Sequence, residues 1–491
     1  MNILELLKVS DKTAFIQGKS RVTYKELLHA GLNFGQNLIK SGIKEKDSVL
    51  VFVPLSIELY VVLIGTWSIG AVPIFIDFSQ GAKFVDASVE RLKPDVVICD
   101  RVTGFLRNVY SKIRKIKMLK VQQVTKVIKN SNISPSPKTK IEDLDKQIEV
   151  LETRTKDVKS LEPSHPAIMT LTSGSTGVPK VAVRTHGFLI NQYYALKAHM
   201  DFSSHHIDLG TLPVFALASL ASQMTILLPE KSYKGKMDIA KLAKAAKREG
   251  VSRAICSPTL LKGMLESEEL INLKLAYLGG APVYPSVLER AQIDMEVHIV
   301  YGSTEAEPIA GIGWSEVKEE DRQQIAKGNG LLVGKVVPEV ECKIGENGEI
   351  LVTGKTVLQG YLDGIGDKEN KLREGDKVWH RTGDAGYFDD QNRLWLLGRV
   401  DQIIHDTKGI LYPFCVECIL DAHFEIRGAI LSHHGKRTVV IEKSKSLRDV
   451  SEVLQLLKSQ HIEQVITVKK LPMDKRHGAK IDYHRLGKIL S

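Results

Sequence analysis

The run Leu171-Thr-Ser-Gly-Ser-Thr-Gly-Val-Pro-Lys180 is dense in hydroxyls and glycines and ends on a lysine. Thr172, Ser173, Gly174, Ser175, Thr176 and Gly177 offer backbone N–H groups and hydroxyls to phosphate oxygens, and Lys180 adds positive charge. Ile168-Met-Thr-Leu leads into the loop with the pattern of a strand. This is not the P-loop of the NTPases, which needs four residues between its glycines and then Gly-Lys-Ser/Thr. Here Gly174 and Gly177 are three apart and Pro179 precedes the lysine.

Further chemistry-bearing clusters follow along the chain. They are Gly279-Gly280-Ala281-Pro282-Val, Tyr301-Gly302-Ser303-Thr304-Glu305, Gly348-Glu-Ile with Gly354 and Gly360-Tyr361, Thr382-Gly-Asp384, Gly398-Arg399-Val-Asp401, and Pro472-Met-Asp-Lys-Arg-His-Gly-Ala-Lys480. Together with the loop at 171–180, these resemble, in order, the motifs of the adenylate-forming superfamily: acyl-CoA synthetases, peptide-synthetase adenylation domains and luciferases. The resemblance extends from Val22-Thr-Tyr-Lys-Glu-Leu to the end of the sequence.

The resemblance implies ATP-dependent activation of a small-molecule carboxylic acid, and each motif makes chemical sense in that reaction. Glu305 is a hard oxygen ligand for Mg²⁺, which is usually held by one or two carboxylates plus phosphates. Thr304 can donate to the α-phosphate. Tyr301 offers a ring face to adenine beside Gly302 and Ser303, and the Gly280-Ala281-Pro282 turn lines the same base. Asp384 can accept both ribose hydroxyls, and Arg399 can reach that sugar. Lys480 would bridge the attacking carboxylate and the α-phosphate, neutralising charge where it develops. His186 follows the loop in the family's usual place without an evident role.

These groups need a scaffold. A chain of 491 residues exceeds one simple core, so two or three domains are expected. Apolar residues at 43% and charged residues at 26% describe a globular enzyme, not a disordered chain. From Tyr24 to Gly42 apolar residues recur at helical spacing, while Val49-Leu-Val-Phe-Val and Pro94-Asp-Val-Val-Ile-Cys read as strands. The apolar stretch Val49 to Ile76 is broken by Pro54, Ser56, Glu58, Gly65, Gly70 and Pro73, which predicts strand, buried helix and strand and no transmembrane segment. Short strands between glycine turns, such as Glu349-Ile-Leu-Val-Thr and Leu394-Trp-Leu-Leu, mark a β subdomain at about 328–398. The expected fold is α/β: a large N-terminal domain of stacked α/β sheets, 1–398, binding ATP and acid, plus a small mobile α+β C-terminal lid, 399–491, which the resemblance implies turns about Asp401 between half-reactions. In one orientation Lys480 enters the site; in the other, Lys408-Gly409 approaches it.

The net charge of +10 suits a nucleotide, an acidic carrier protein or an anionic membrane surface. Arg107, Lys112, Arg114, Lys115, Lys117, Lys120, Lys126 and Lys129 crowd together ahead of a Ser134-Pro-Ser-Pro-Lys loop. A solvated face accounts for them, and peripheral contact with a membrane or an acidic partner stays open. No nucleic-acid motif accompanies the charge. Cys415 and Cys418 have no second pair to complete a zinc site. The first residues lack a basic segment and cleavage site, so a cytoplasmic location is expected.

The acceptor of the acyl group is left open. Coenzyme A or a phosphopantetheinyl carrier is the usual thiol in the family, and no carrier domain follows Lys480, so an acyl carrier protein would be separate. The apolar Leu212-Pro-Val-Phe-Ala-Leu-Ala, Ile255-Cys-Ser-Pro-Thr-Leu-Leu, the Val400–Val416 segment and the stretch ending at Lys480 resemble the β-lactone synthetases of bacterial olefin biosynthesis. Those close a β-hydroxy acyl-adenylate on its own hydroxyl. An amino-acid substrate is disfavoured, because no carboxylate is found to pair with its amine. A non-catalytic nucleotide-binding homologue should have lost Glu305, Asp384 or Lys480, and all three are present.

Overall fold

The computed structural model describes residues 2–100, 102–106, 110, 112–121, 160–172, 179–230, 237–267, 269, 272–291, 294–443, 447, 449–473 and 480–490, with only the backbone of Phe105, Leu106, Arg114 and Thr172. Ser173, Gly174, Ser175, Thr176, Gly177, Arg107, Lys126, Lys129, the 134–138 loop and the 474–479 run therefore lie outside the described residues. Two compact units are present.

The first unit comprises Met1–Ile255, Glu268–Asn272 and Gly360–Asp367. Its strands are β1 (Thr13–Gln17), β2 (Ser20–Thr23), β3 (Ser48–Phe52), β4 (Val72–Phe75), β5 (Val96–Cys99), β6 (Met118–Lys120), β7 (Pro166–Thr172), β8 (Lys180–Thr185), β9 (Ile207–Gly210), β10 (Thr225–Leu227) and β11 (Arg253–Cys256). One sheet has the order β6-β5-β3-β4-β7-β8, and β11-β9-β10-β1-β2 form another sheet run. All pairs are parallel except the β7–β8 and β1–β2 hairpins. Parallel sheets covered on both faces explain the unbroken apolar strands.

The stretch Val49 to Ile76 folds as expected: β3, a helix over Ile57–Ser68, then β4. Ser56 caps that helix by accepting the Leu59 N–H, and Trp67 anchors it by donating to the Ala167 carbonyl at 2.7 Å. The helix Tyr24–Lys40 begins at a Thr23/Glu26 capping box and packs against Ile57–Ser68. Glycines set how close these helices come: a Cβ on Gly65 would lie 2.7 Å from the Gly31 carbonyl oxygen. Of the basic cluster, Lys112 pairs with Glu90 at 3.2 Å and Lys117 donates to the Ser41 carbonyl. Among the described residues no helix is long and apolar enough to cross a membrane. All five cysteines are free thiols, Cys415 and Cys418 lying on one helix.

The second unit comprises Cys256–Ser267, Leu273–Gln359 and Lys368–Ser491. It contains β12 (Leu275–Leu278), β13 (Glu296–Ser303), β14 (Ala306–Gly313), β15 (Leu331–Val336), β16 (Val340–Ile344), β17 (Glu349–Gly354), β18 (Lys371–Glu374), β19 (Lys377–Phe388), β20 (Leu394–Arg399), β21 (Ile404–Asp406), β22 (Gly409–Leu411), β23 (Gly428–His433), β24 (Lys436–Glu442) and β25 (Gln464–Val468). The order β16-β17-β19-β20-β15-β14-β13-β12 is antiparallel apart from β12–β13. The short strands expected between glycine turns are β15 to β20. Beyond Arg399, Val416, Leu420, Ile430, Val439, Val453 and Leu457 build a separate apolar core around the sheet β23-β24-β25.

One helix of this unit, Phe414–Phe424, carries acidic groups at four-residue spacing. Tyr284 and Tyr483 both donate to Glu417, the latter at 3.2 Å. Ser286 donates its N–H to Asp421 at 3.1 Å, and Arg290 pairs with Glu425 beyond the last turn. Burial pushes the Glu417 carboxyl from 4.5 up to about 7, against the pull of both tyrosine hydroxyls and Arg427. The folded chain thus retains a proton that the unfolded chain has lost, so this contribution to stability falls as pH rises from about 5 past 7. We expect Glu417→Gln to leave the unfolding midpoint nearly unchanged at pH 5. At pH 8 it should raise stability by up to roughly 3 kcal/mol. Thermal unfolding across this range checks it, and identical pH profiles for the two proteins would contradict it.

Candidate functional site

Strands β12 and β13 run parallel, and two of the motifs sit where their carboxyl ends run out. In parallel α/β arrangements that edge is where ligands bind. After β12 the chain turns at Gly279-Gly280. A Cβ on Gly279 would lie 2.9 Å from the Val300 carbonyl oxygen, so the turn presses on β13. Gly280 has φ +75, and Ala281 and Pro282 follow half-buried. After β13 the chain reverses into β14 through Thr304-Glu305, with Ser303 paired to Ala306 across the hairpin. The Glu305 N–H donates to Ser303 Oγ at 3.2 Å, and the Glu305 carbonyl accepts the Leu358 N–H at 2.7 Å. A Cβ on Gly302 would lie 3.0 Å from the Ala306 carbonyl oxygen, which keeps the hairpin tight. The tip of this hairpin therefore holds Thr304 and Glu305 half-buried on a pinned backbone.

Tyr301, on β13 three residues before Thr304, is buried and donates its hydroxyl to Asp384 Oδ2 at 2.8 Å. Burial, then the Asp384 charge, holds the Tyr301 hydroxyl well above its usual pKa, so it remains a donor. Asp384 on β19 and Arg399 at the end of β20 are cross-strand partners. Arg399 Nη1 donates to Asp384 Oδ1 at 3.2 Å and to the Thr382 carbonyl at 3.1 Å. Gly383, at φ +72, makes room for this: a Cβ there would lie 2.5 Å from Arg399 Nη2. Each Asp384 oxygen thus has one donor and keeps capacity for another, which fits two neighbouring hydroxyls.

In the first unit, β7 and β8 pair until Thr172 faces Lys180, which fixes both ends of the Gly/Ser/Thr loop. Lys180 is half-buried, with its ammonium 5.6 Å from the centroid of the Tyr361 ring.

A family model described as AMP-binding enzyme matches residues 6–362. The chain belongs to the AMP-binding enzyme family. It is 30% identical over 367 residues to an olefin beta-lactone synthetase of Xanthomonas campestris, covering 65% of this chain and 66% of the relative, just under two thirds of its length. It is 24% identical over 429 residues to a 2-succinylbenzoate–CoA ligase of Bacillus licheniformis, covering 84% of this chain and 82% of that one. Its fold matches the o-succinylbenzoate coenzyme A synthetase of Bacillus subtilis in complex with ATP and magnesium ion, with a TM-score of 0.76, 18% identity and 97% of each chain covered.

Within this AMP-binding family frame, the motifs are joined by a residue whose part the sequence did not disclose. Glu349 of β17 is buried, and its Oε1 accepts the Gly383 N–H at 3.0 Å. Its Oε2 pairs with Arg381 at 2.7 Å. Glu349 therefore holds the Thr382-Gly-Asp384 turn in place. The Gly348-Glu-Ile motif marked only a β strand; the glutamate's tie to a turn 34 residues on was the missed signal. We expect Glu349→Ala to weaken AMP binding roughly tenfold and to lower stability by about 2 kcal/mol, through the loss of a buried, charge-assisted acceptor. Calorimetric titration with AMP checks it; unchanged affinity would exclude this role.

His186 is fully buried, its Nδ1 accepting the Ile3 N–H at 3.1 Å. Burial, then His165, pushes its pKa down to about 4, so it is neutral near pH 7 and ties the start of the chain to the helix His186–His199. Lys480 is exposed beside the bridge between Met473 and Ile481.

Proposed function

We propose that this protein activates a carboxylic acid with ATP. A carboxylate oxygen attacks the α-phosphorus, the bond from that phosphorus to the bridging oxygen breaks, and the products are an acyl-adenylate and pyrophosphate. The observation that carries this reading is the Tyr301–Asp384–Arg399 cluster, a carboxylate held by two donors with acceptor capacity left for more, in a chain of the AMP-binding family.

The residues fit ATP with Mg²⁺. Glu305 offers one oxygen-donor carboxylate on a pinned hairpin, which suits a cation carried mainly by phosphates. Among the described residues no group of three His, Cys, Asp or Glu side chains could hold a metal by itself. The bound cation would neutralise phosphate charge as the carboxylate approaches. Thr304 and residues 172–177 would donate to phosphate oxygens, and Lys180 would offset their charge. The Gly280–Pro282 turn and the Tyr301 ring would flank adenine. Lys480 would sit at the attacking carboxylate and α-phosphate, carried by a lid of residues 399–491 turning about Asp401 relative to residues 1–398.

The second step is then transfer of the acyl group to the thiol of coenzyme A or of a separate carrier protein, displacing AMP. A second reading is favoured by the 30% identity to an olefin beta-lactone synthetase: the β-hydroxyl of the substrate displaces AMP and closes a four-membered ring. Product analysis by mass spectrometry separates them, using ATP, Mg²⁺ and fatty and β-hydroxy fatty acids with and without coenzyme A. AMP and a thioester formed only with coenzyme A indicate the first. AMP and a β-lactone formed without thiol indicate the second. ADP as the nucleotide product would overturn both.

A further inference from the structure

The lysine that closes the Gly/Ser/Thr loop rests in a cradle made by residues far along the chain. Residues 360–367 belong to the first unit and run beside β8, with Tyr361 bridged to Ala182. Tyr361 is fixed twice more: its N–H donates to Asp367 Oδ1 at 2.8 Å, and its carbonyl accepts the Gly364 N–H at 3.0 Å. Tyr361 is 6% exposed, and the centroid of its ring lies 5.6 Å from the Lys180 ammonium, within the range of a cation–π contact. Beside both the lysine stem and the ring is Gly366, at φ +100. A Cβ there would lie 2.5 Å from Lys180 Cδ and 2.8 Å from Cγ, so only glycine admits the stem in this course. Arg91 ties the two segments together, donating to the Pro179 carbonyl and, at 3.1 Å, to the Leu362 carbonyl.

We infer that residues 360–367 are a positioning strap for Lys180, in which Tyr361 and Gly366 aim its ammonium at the polyphosphate of the nucleotide. The inference rests on the ATP-dependent reading above. A free lysine stem has rotamer freedom to lose, and an ammonium already held over a ring loses less of it on binding phosphate. Because this help is equal before and at the transition state, it affects KM for ATP and not kcat.

The test is acid-dependent exchange of pyrophosphate into ATP by the full chain, in a double-mutant cycle. Tyr361→Leu and Gly366→Ala should each raise KM for ATP roughly fivefold to tenfold, with kcat within about twofold. Tyr361→Phe, which keeps the ring, should restore KM to within about twofold of the unaltered protein. In a Lys180→Met background, Gly366→Ala should add nothing further, because both act through the same ammonium. Thermal unfolding monitors the fold, and Gly366→Ala alone carries the test should Tyr361→Leu not fold. Unchanged KM in both variants, failure of Phe to rescue, or full additivity with Lys180→Met would overturn the strap. Lack of exchange in the unaltered protein would instead count against the proposed activity; the same cycle is then read on ATP affinity by calorimetry.

Discussion

Lys480→Ala should lower the rate of adenylate formation by roughly 100- to 1,000-fold, the loss typical when one preorganised charge is removed from a developing anion. An acid and ATP both carry negative charge, so the attack concentrates charge between the carboxylate and the α-phosphorus. Tyr301, Asp384 and Arg399 are already joined to one another by hydrogen bonds that do not involve Lys480. ATP affinity should therefore fall by less than about threefold, and the effect should lie in kcat. Lys480→Arg keeps the charge with a different shape and should recover only part of the rate. Pre-steady-state measurement of pyrophosphate release, beside calorimetric ATP titration, separates the two. Undiminished release by the alanine variant would remove Lys480 from the mechanism.

Asp384→Ala should weaken ATP binding by roughly 100-fold, or about 3 kcal/mol. The substitution deletes the acceptor proposed for two ribose hydroxyls, each charge-assisted bond being worth about 1.5–3 kcal/mol. It also leaves the buried Tyr301 hydroxyl without the oxygen it reaches at 2.8 Å. Part of the loss is offset because Arg399, whose side chain is about half exposed, can turn to water. Asp384→Asn keeps one acceptor oxygen and should lie between the two. Deoxyribose analogues of ATP give an internal control, because the alanine variant should no longer discriminate against them. An affinity within about threefold of the unaltered protein would exclude Asp384 as the ribose ligand.

Much of this arrangement was legible in the residues, and the rest was not for definable reasons. Strand, helix and strand over Val49 to Ile76 could be read because Ser56 and Gly70 punctuate an apolar run too broken to be a membrane span. Thr382-Gly-Asp384 and Tyr301–Glu305 could be singled out because they resemble the family's motifs, and their residue types suit nucleotide chemistry. That the Tyr301 hydroxyl meets Asp384 could not be, since 83 positions separate them and only the pairing of β13 through β15 and β20 to β19 brings them together. Ring stacking accounted for the aromatic face of Tyr301 but not for its hydroxyl. Gly366 carried no signal in the sequence, because its necessity comes from a φ of +100 and from a lysine stem 2.5 Å from where its Cβ would be. Glu349 looked like one more residue of a β strand until its carboxylate was seen to hold Gly383 and Arg381. His186 gave a position without a purpose. Its burial and the hydrogen bond from Ile3 make it a neutral tether of the first helical turn.

The most direct test of the proposed activation follows an oxygen atom. A carboxylic acid that supports turnover is labelled with oxygen-18 in both carboxylate positions, and the AMP released with ATP and Mg²⁺ is examined by mass spectrometry. Attack of the carboxylate on the α-phosphorus, followed by cleavage at the acyl carbon, must leave one labelled oxygen in AMP. The proposed chemistry predicts AMP carrying one heavy oxygen, whether the acceptor is a thiol or the substrate's own hydroxyl. Unlabelled AMP, or label recovered in inorganic phosphate beside ADP, would contradict it.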